Sequence, residues 1–179
     1  ICVMFTGIIE KKGIITAIII SGSNKTFWVE SAISDELKVD QSVAHNGVCL
    51  TVEEISNGKH RITAIEETLK KTNLNSWKKN TVINLERCLQ MNGRLDGHIV
   101  QGHVDTVATC TEVTEKDGSW EYTFNFDPNF AALVIEKGSI SLNGISLTVF
   151  NVTTDSFMVA IIPYTYEHTN MQYLKPDDE

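Results

Sequence analysis

At 179 residues, with 42% apolar, 21% charged and only three prolines, the chain has the composition of an ordinary globular protein, sized for one domain or two small ones. Its net charge of −8 opposes binding to a polyanion, and no Lys/Arg cluster stands apart from the acidic background, so a nucleic-acid role is disfavoured. Cys2, Cys49, Cys88 and Cys110 form no CxxC pair, which argues against a disulfide scaffold or zinc ribbon and suits a reducing, cytoplasmic setting; the longest apolar run, Ile14 to Ile20, is far short of a membrane span.

The three residues ahead of Met4 read as an extension of cloning or processing origin. From there, β-branched runs separated by turn signals predict strands over Phe5–Glu10, Gly13–Ile20, Lys25–Glu30, Ser42–His45, Val48–Ile55, His60–Ile65 and Thr81–Arg87. Asn57-Gly58 is a two-residue hairpin signal, Asp117-Gly118 serves similarly later, and Asn46-Gly47 and Asn143-Gly144 sit between strand-like runs. Short helices fit Glu66–Lys71 and Phe130–Glu136, the latter behind the capping signal Asp127-Pro128-Asn129.

One segment occurs twice. Ser42-Val43-Ala44-His45-Asn46-Gly47-Val48-Cys49-Leu50-Thr51-Val52 returns as Ser139-Ile140-Ser141-Leu142-Asn143-Gly144-Ile145-Ser146-Leu147-Thr148-Val149, identical at six of eleven positions. Thr68, Thr72 and Asn73 return as Thr165, Thr169 and Asn170, and Gly7-Ile8-Ile9-Glu10 has a looser echo in Gly102-His103-Val104-Asp105. So long a period means paired domains rather than a solenoid. The expectation is all-β: two similar Greek-key barrels of about six strands each, one over residues 1–92 and one over 93–179, each with its own core and pocket. The break falls in Cys88–Gly97. The first copy has a closing strand after Asn73, whereas the corresponding place in the second comes at Asp178; an unclosed barrel exposes an edge.

Strand parity sorts the repeated segment into two faces. Val48, Leu50 and Val52 share one; Cys49 and Thr51, with Ser146 and Thr148, share the other and line a polar surface or pocket. A lone Cys is ordinarily a small buried hydrophobe, and parity argues against that here. His45 shares the core side and reads as a histidine stabilising the turn. In Gly97–Asp105, read as a strand, His98 falls with Val100 and Val104, while His103 falls with Gln101 and Asp105 and is the better functional candidate. Two histidines five apart on a strand face opposite sides, so a shared metal is not expected. Thr68 and Thr165 read as helix caps, and no Ser/His/Asp order, P-loop or HExxH occurs.

Four motifs in order, Met4-Phe5-Thr6-Gly7-Ile8-Ile9-Glu10, Ser42 to Val52, Gly97-His98-Ile99-Val100-Gln101-Gly102-His103-Val104-Asp105 and Gly144 to Val149, resemble riboflavin synthase of the alpha-chain type from Met4 to the end. The resemblance implies two six-stranded Greek-key barrels, each binding one 6,7-dimethyl-8-ribityllumazine. One molecule gives a four-carbon unit to the other, yielding riboflavin and 5-amino-6-(D-ribitylamino)uracil without a cofactor or metal. It implies a homotrimer in which the first barrel of one subunit works with the second barrel of its neighbour, with lumazine synthase as a partner.

Carried over by position, His103, Ser42 and Cys49 are the catalytic set. Substrate contacts are Gly7, Ile8 and Ile9; Cys49, Leu50 and Thr51; Thr63, Ala64, Ile65, Glu66, Glu67 and Thr68; Gly102, His103 and Val104; Lys137; Ser146, Leu147 and Thr148; and Ala160, Ile161, Ile162, Pro163, Tyr164 and Thr165. Many of these act through backbone groups. The resemblance also implies, past the position of Glu179, a closing strand, an acidic residue implicated in activity and a C-terminal helix that holds the trimer. A non-catalytic lumazine- or flavin-binding protein of the same fold is the alternative reading.

Overall fold

The computed structural model describes residues 4–90 and 92–179; the extension ahead of Met4, with Cys2, and Met91 in the expected break lie outside the described residues. The first half contains β1 (Lys11–Ser21), β2 (Asn24–Glu30), β3 (Ser42–His45), β4 (Val48–Thr51), β5 (Glu54–Ser56), β6 (Lys59–Ala64), helix α1 (Glu66–Lys71) and β7 (Val82–Arg87). The second contains β8 (Ala108–Lys116), β9 (Ser119–Phe126), β10 (Ser139–Leu142), β11 (Ile145–Phe150), β12 (Ser156–Ile161) and helix α2 (Pro163–His168).

The first sheet runs β4-β3-β7-β1-β2-β6-β5, and its two edges are one bent strand. β4 pairs with β3, then Val52 and Glu53 hand the chain over: the Val52 N–H donates to Gln41 O, the Glu53 N–H to Arg61 O, and β5 pairs with β6. Counting β4 and β5 together, six strands close on themselves, which removes the unpaired edges that a sheet otherwise presents. Inward residues Ile15, Phe27, Val29, Val43, Leu50, Val52, Ile62, Ile83 and Leu85 fill the barrel, plugged by Leu74 and Trp77 from the turn after α1.

The second sheet runs β10-β11-β12-β9-β8 around Tyr122, Phe124, Phe126, Val149, Phe157, Val159 and Ile161. It repeats the first with β7 left out. The repetition reaches individual dihedrals: Asp40 and Lys137 (φ 69° and 63°), Asn46 and Asn143 (48° and 46°), and Asn80 and Asp177 (73° and 74°) are paired departures into the left-handed region. Where Asn80 and Thr81 exchange backbone bonds with Ile15, Asp177 and Asp178 exchange them with Cys110.

The halves meet at the duplicated turns. A Cβ on Gly47 would lie 2.8 Å from the Gly144 N, and one on Gly144 would lie 2.7 Å from the Gly47 N, so only glycine permits this approach. Around it, Asn73 Nδ2 donates to Asn143 Oδ1 (3.0 Å) and, in the mirrored bond, Asn170 Nδ2 donates to Asn46 Oδ1 (3.3 Å). Asn84, 1% exposed, accepts the Asn170 N–H and donates to both Asn143 O and Asn170 Oδ1.

Three local expectations are corrected. Phe5–Glu10 and Gly97–Asp105 are not strands: only Phe5 and Val100 pair, exchanging both backbone bonds, while Gly7 (φ 77°) and Gly102 (φ 80°) turn the chain. The segment Phe130–Glu136 is not an α-helix but a 3-10 turn, Pro128–Leu133, because β-branched Val134 is already extended and Lys137 must enter the left-handed region. Thr68 and Thr165 lie inside α1 and α2; the capping residues are Thr72 and Thr169, whose hydroxyls donate to Thr68 O and Thr165 O and accept from Leu74 N and Met171 N.

Candidate functional site

The two entry segments are exchanged between the halves. The Cys49 N–H of β4 donates to Gly102 O (2.9 Å), and the Ser146 N–H of β11 donates to Gly7 O (2.8 Å). Val104 packs on the first core and Ile9 on the second. Each candidate site is therefore rimmed by the segment that opens the other half.

In the first half, alternation along β4 leaves Cys49 half-buried and Thr51 exposed while Val48 and Leu50 face the core. Ser42 stands opposite Thr51 and Ala44 opposite Cys49, so these four share one face. Cys88, just past β7, donates from Sγ to Ser42 O (3.1 Å). Burial pushes the Cys49 thiol up, with the neighbouring Ser42 side chain acting in the opposite sense. Cys49 is thus a neutral thiol near pH 7, fit to donate or relay a proton and a nucleophile only after losing one. His103 follows Gly102, whose carbonyl takes the Cys49 N–H, and is exposed. Thr63 on β6 bonds Thr26 Oγ1 (2.8 Å) and Glu53 Oε2 (3.1 Å), with exposed Ile65 beyond it.

In the second half Ser146 takes the place of Cys49, and its hydroxyl lies 2.6 Å from His98 Nδ1. The His98 N–H donates to Thr6 O (3.0 Å), and burial lowers its imidazole pKa. Exposed Thr148 and Ile162 extend the face, and Lys137, whose N–H donates to Val149 O, lies close behind with Nζ 5.3 Å from the Phe150 ring.

The expected residues thus divide into a first set (Ser42, Cys49 to Thr51, Thr63 to Thr68, Gly102 to Val104) and a second (Gly7 to Ile9, Lys137, Ser146 to Thr148, Ala160 to Thr165). Leu50, Ala64 and Ile161 point into the cores, so only their backbone groups can meet a ligand. A cavity of about 460 Å³ lies elsewhere, between the edges β8 and β10, lined by Phe124, Phe126, Ser139 to Leu142, Phe157 and Leu174; of the expected residues only Gly102 to Val104 reach it. Among the described residues no group of three or more His, Cys, Asp or Glu could hold a metal ion, and no helix is long and apolar enough to cross a membrane.

Parity missed three groups. His98 reaches Ser146 because its segment is not a strand, so alternation does not govern it. His45 does more than brace a turn: fully buried, it donates from Nδ1 to Val43 O (3.0 Å) and meets His60 Nε2 at 2.8 Å, while His60 Nδ1 meets Ser34 Oγ at 2.9 Å. One proton arrangement satisfies this chain, with both imidazoles neutral and His60 Nε2 donating. Burial holds His45 well below its ordinary pKa, helped by His60, and lowers His60 to about 4. The third is Glu86, 4% exposed on β7 opposite Ala44, which no spacing rule marks.

The barrel pair and its two mirrored, polar-edged faces define a duplicated ligand-binding protein, and the model of the lumazine binding domain matches the chain twice, over residues 6–88 and 101–179. The chain is 38% identical over 167 residues to riboflavin synthase of Bacillus subtilis (strain 168), covering 93% of this chain and 78% of that protein. It is 40% identical over 169 residues to that of Actinobacillus pleuropneumoniae (94% and 79%), and 34% identical over 171 to that of Escherichia coli (strain K12) (94% and 80%). The chain belongs to the riboflavin synthase family. Its fold is shared with LumP, solved with riboflavin (TM-score 0.90) and with 6,7-dimethyl-8-(1'-D-ribityl) lumazine (TM-score 0.87), each at 20% identity and covering 97% of this chain and 95% of that one.

Proposed function

We propose that the chain is a transferase that disproportionates two molecules of 6,7-dimethyl-8-ribityllumazine into riboflavin and 5-amino-6-(D-ribitylamino)uracil. The observation that carries this reading is the pair of mirrored sites, in a family whose relatives bear that enzyme name, with unequal side chains at matched positions: the first half has Cys49 where the second has Ser146, and His103 stands where the other entry segment has Ile8. A reaction between two identical molecules needs two similar sites and one asymmetric reactive set. Orientation of the pair supplies a large share of the barrier reduction, up to roughly 7–11 kcal/mol in well-aligned intramolecular cases.

In this reading the first half spans residues 1–92 and the second 93–179, each holding one lumazine through the sets described above. His103 removes a proton from an acidic ring methyl, and Cys49 with Ser42 handles the adduct and returns the proton. The donor loses four carbons, the acceptor gains them, and the two products together contain all atoms of the two substrates, so no oxidant, reductant or cofactor enters. A homotrimer that joins the first half of one subunit to the second half of the next, a cytoplasmic location and association with lumazine synthase complete the proposal. The test is to incubate the protein with 6,7-dimethyl-8-ribityllumazine, follow riboflavin by absorbance, and measure mass in solution. Lumazine bound without riboflavin formed by a trimeric species supports instead a binding protein of the same fold.

A further inference from the structure

Glu86 is a buried carboxylate without a cationic partner among the described residues. The adjacent Arg87 turns outward to Glu10 and Glu36, and Glu86 turns to the opening segment of the chain. Its Oε1 accepts from the Thr6 N–H (2.6 Å) and the Thr6 hydroxyl (2.7 Å), and its Oε2 accepts from the Gly7 N–H (3.0 Å). Three donors converge on an acceptor-only group, the arrangement that selects a carboxylate over an amide.

What Glu86 holds is the hub of the second site. From the Thr6-Gly7 peptide unit, Thr6 O accepts the His98 N–H and Gly7 O accepts the Ser146 N–H, and the loop closes where His98 Nδ1 meets Ser146 Oγ. The packing leaves no slack: a Cβ on Gly97 would lie 1.9 Å from Thr6 O, and one on Gly7 would lie 2.7 Å from Ser146 Cβ. One residue earlier, Phe5 is fully buried with Ala44 and Val100, and half-buried Cys49 and Cys88 pack on that cluster. A shift of Thr6 and Gly7 therefore displaces Ser146 and His98 on one side and the Phe5 wedge beneath Cys49 on the other.

We propose that Glu86 is a positioning residue for the reaction, the group that ties the second site's Ser146–His98 pair to the closing strand of the first barrel. It touches no substrate and acts through the Thr6–Gly7 peptide. The inference rests on the proposed function for its kinetic consequence, though not for its structural one. Glu86→Gln keeps size and one carbonyl oxygen for Thr6 but turns an NH₂ toward the Gly7 N–H, donor against donor.

The test compares wild type and E86Q by steady-state kinetics with 6,7-dimethyl-8-ribityllumazine and by NMR titration of the histidine ring signals. In E86Q, kcat falls between about 10- and 100-fold with KM changed less than about threefold, the scale of loss expected from misplacing a reacting group by an ångström. The His98 signal titrates nearer the ordinary imidazole value of about 6.5, while those of His45 and His60 stay put. A general loss of stability would not single out His98. If E86Q does not fold, Thr6→Val removes one of the three donors and shifts His98 in the same direction by a smaller amount. Wild-type kcat and an unmoved His98 in E86Q, or an unmoved His98 in Thr6→Val, overturns the proposal. If trimeric wild type makes no riboflavin, the proposed function fails, and the His98 titration still decides the role of Glu86.

Discussion

His103 and His45 are both histidines beside a duplicated motif, and their surroundings give them opposite work. His103 is exposed and next to the carbonyl that takes the Cys49 N–H; on the proposed function, His103→Gln should lower kcat by about 10²-fold or more with folding unchanged, read in the riboflavin assay beside a thermal melt. His45 and His60 are sealed in the first core as neutral bases. Their pKa values are lowered on folding, so the unfolded chain binds more protons below the ordinary imidazole value. Stability from this pair is fully present above about pH 6.5 and is lost as pH falls toward about 4, the lowered value of His60. The second half has Leu142 and Phe157 at the matching positions, 97 residues on. Replacing both histidines with those residues should flatten the dependence of melting temperature on pH between 7 and 4. His60→Phe alone strands the His45 Nε2 and should cost about 1–3 kcal/mol in urea unfolding. Residue by residue, the faces of β4 could be read from alternation, because Val48 and Leu50 meet the barrel core while Cys49 and Thr51 turn to the other side; β3, buried on both faces from Val43 to His45, shows no such alternation. Glu86, His60 and His98 could not be read so, since what they bond lies 80, 15 and 48 residues away in the chain.

Strands and turns were legible wherever local chemistry decides them. β3, α1 and the Asn-Gly turns fall where β-branching, periodicity and left-handed asparagine and glycine put them. The entry segments were not legible, because their backbone bonds go to the Glu86 side chain and to isolated partners, most of them on the opposite half, and a β-branched run such as Phe5–Glu10 cannot distinguish that from a sheet. The helix expected at Phe130–Glu136 failed for the reverse reason: its composition is compatible with helix, but the repeated turn at Lys137 takes the chain first. The turn-on-turn contact carries a sharp prediction. Gly47→Ala places a Cβ at 2.8 Å from backbone in a residue with φ of 79°, and should destabilise the chain by about 2 kcal/mol or more, seen as a lower urea midpoint. Gly22→Ala, with the same sign of φ (61°) but nothing within 4 Å, should cost less, and the difference between the two isolates the crowding.

Duplication followed by divergence explains why the halves are alike in backbone and unlike in chemistry. Each half's opening segment bonds the other half's candidate face, Gly7 O taking the Ser146 N–H and Gly102 O the Cys49 N–H. The Asn46, Asn84, Asn143 and Asn170 amides then hold the two in register across a glycine contact too close for any other residue. Such an arrangement suits a reaction that needs two copies of one ligand held by similar walls and acted on by unequal side chains. The experiment that bears on this most directly is a single-turnover mix of the protein with 6,7-dimethyl-8-ribityllumazine, counting riboflavin formed against lumazine consumed. One riboflavin for every two lumazines, with no added cofactor, is the expected result; saturable lumazine binding with no riboflavin from a trimeric species would refute it.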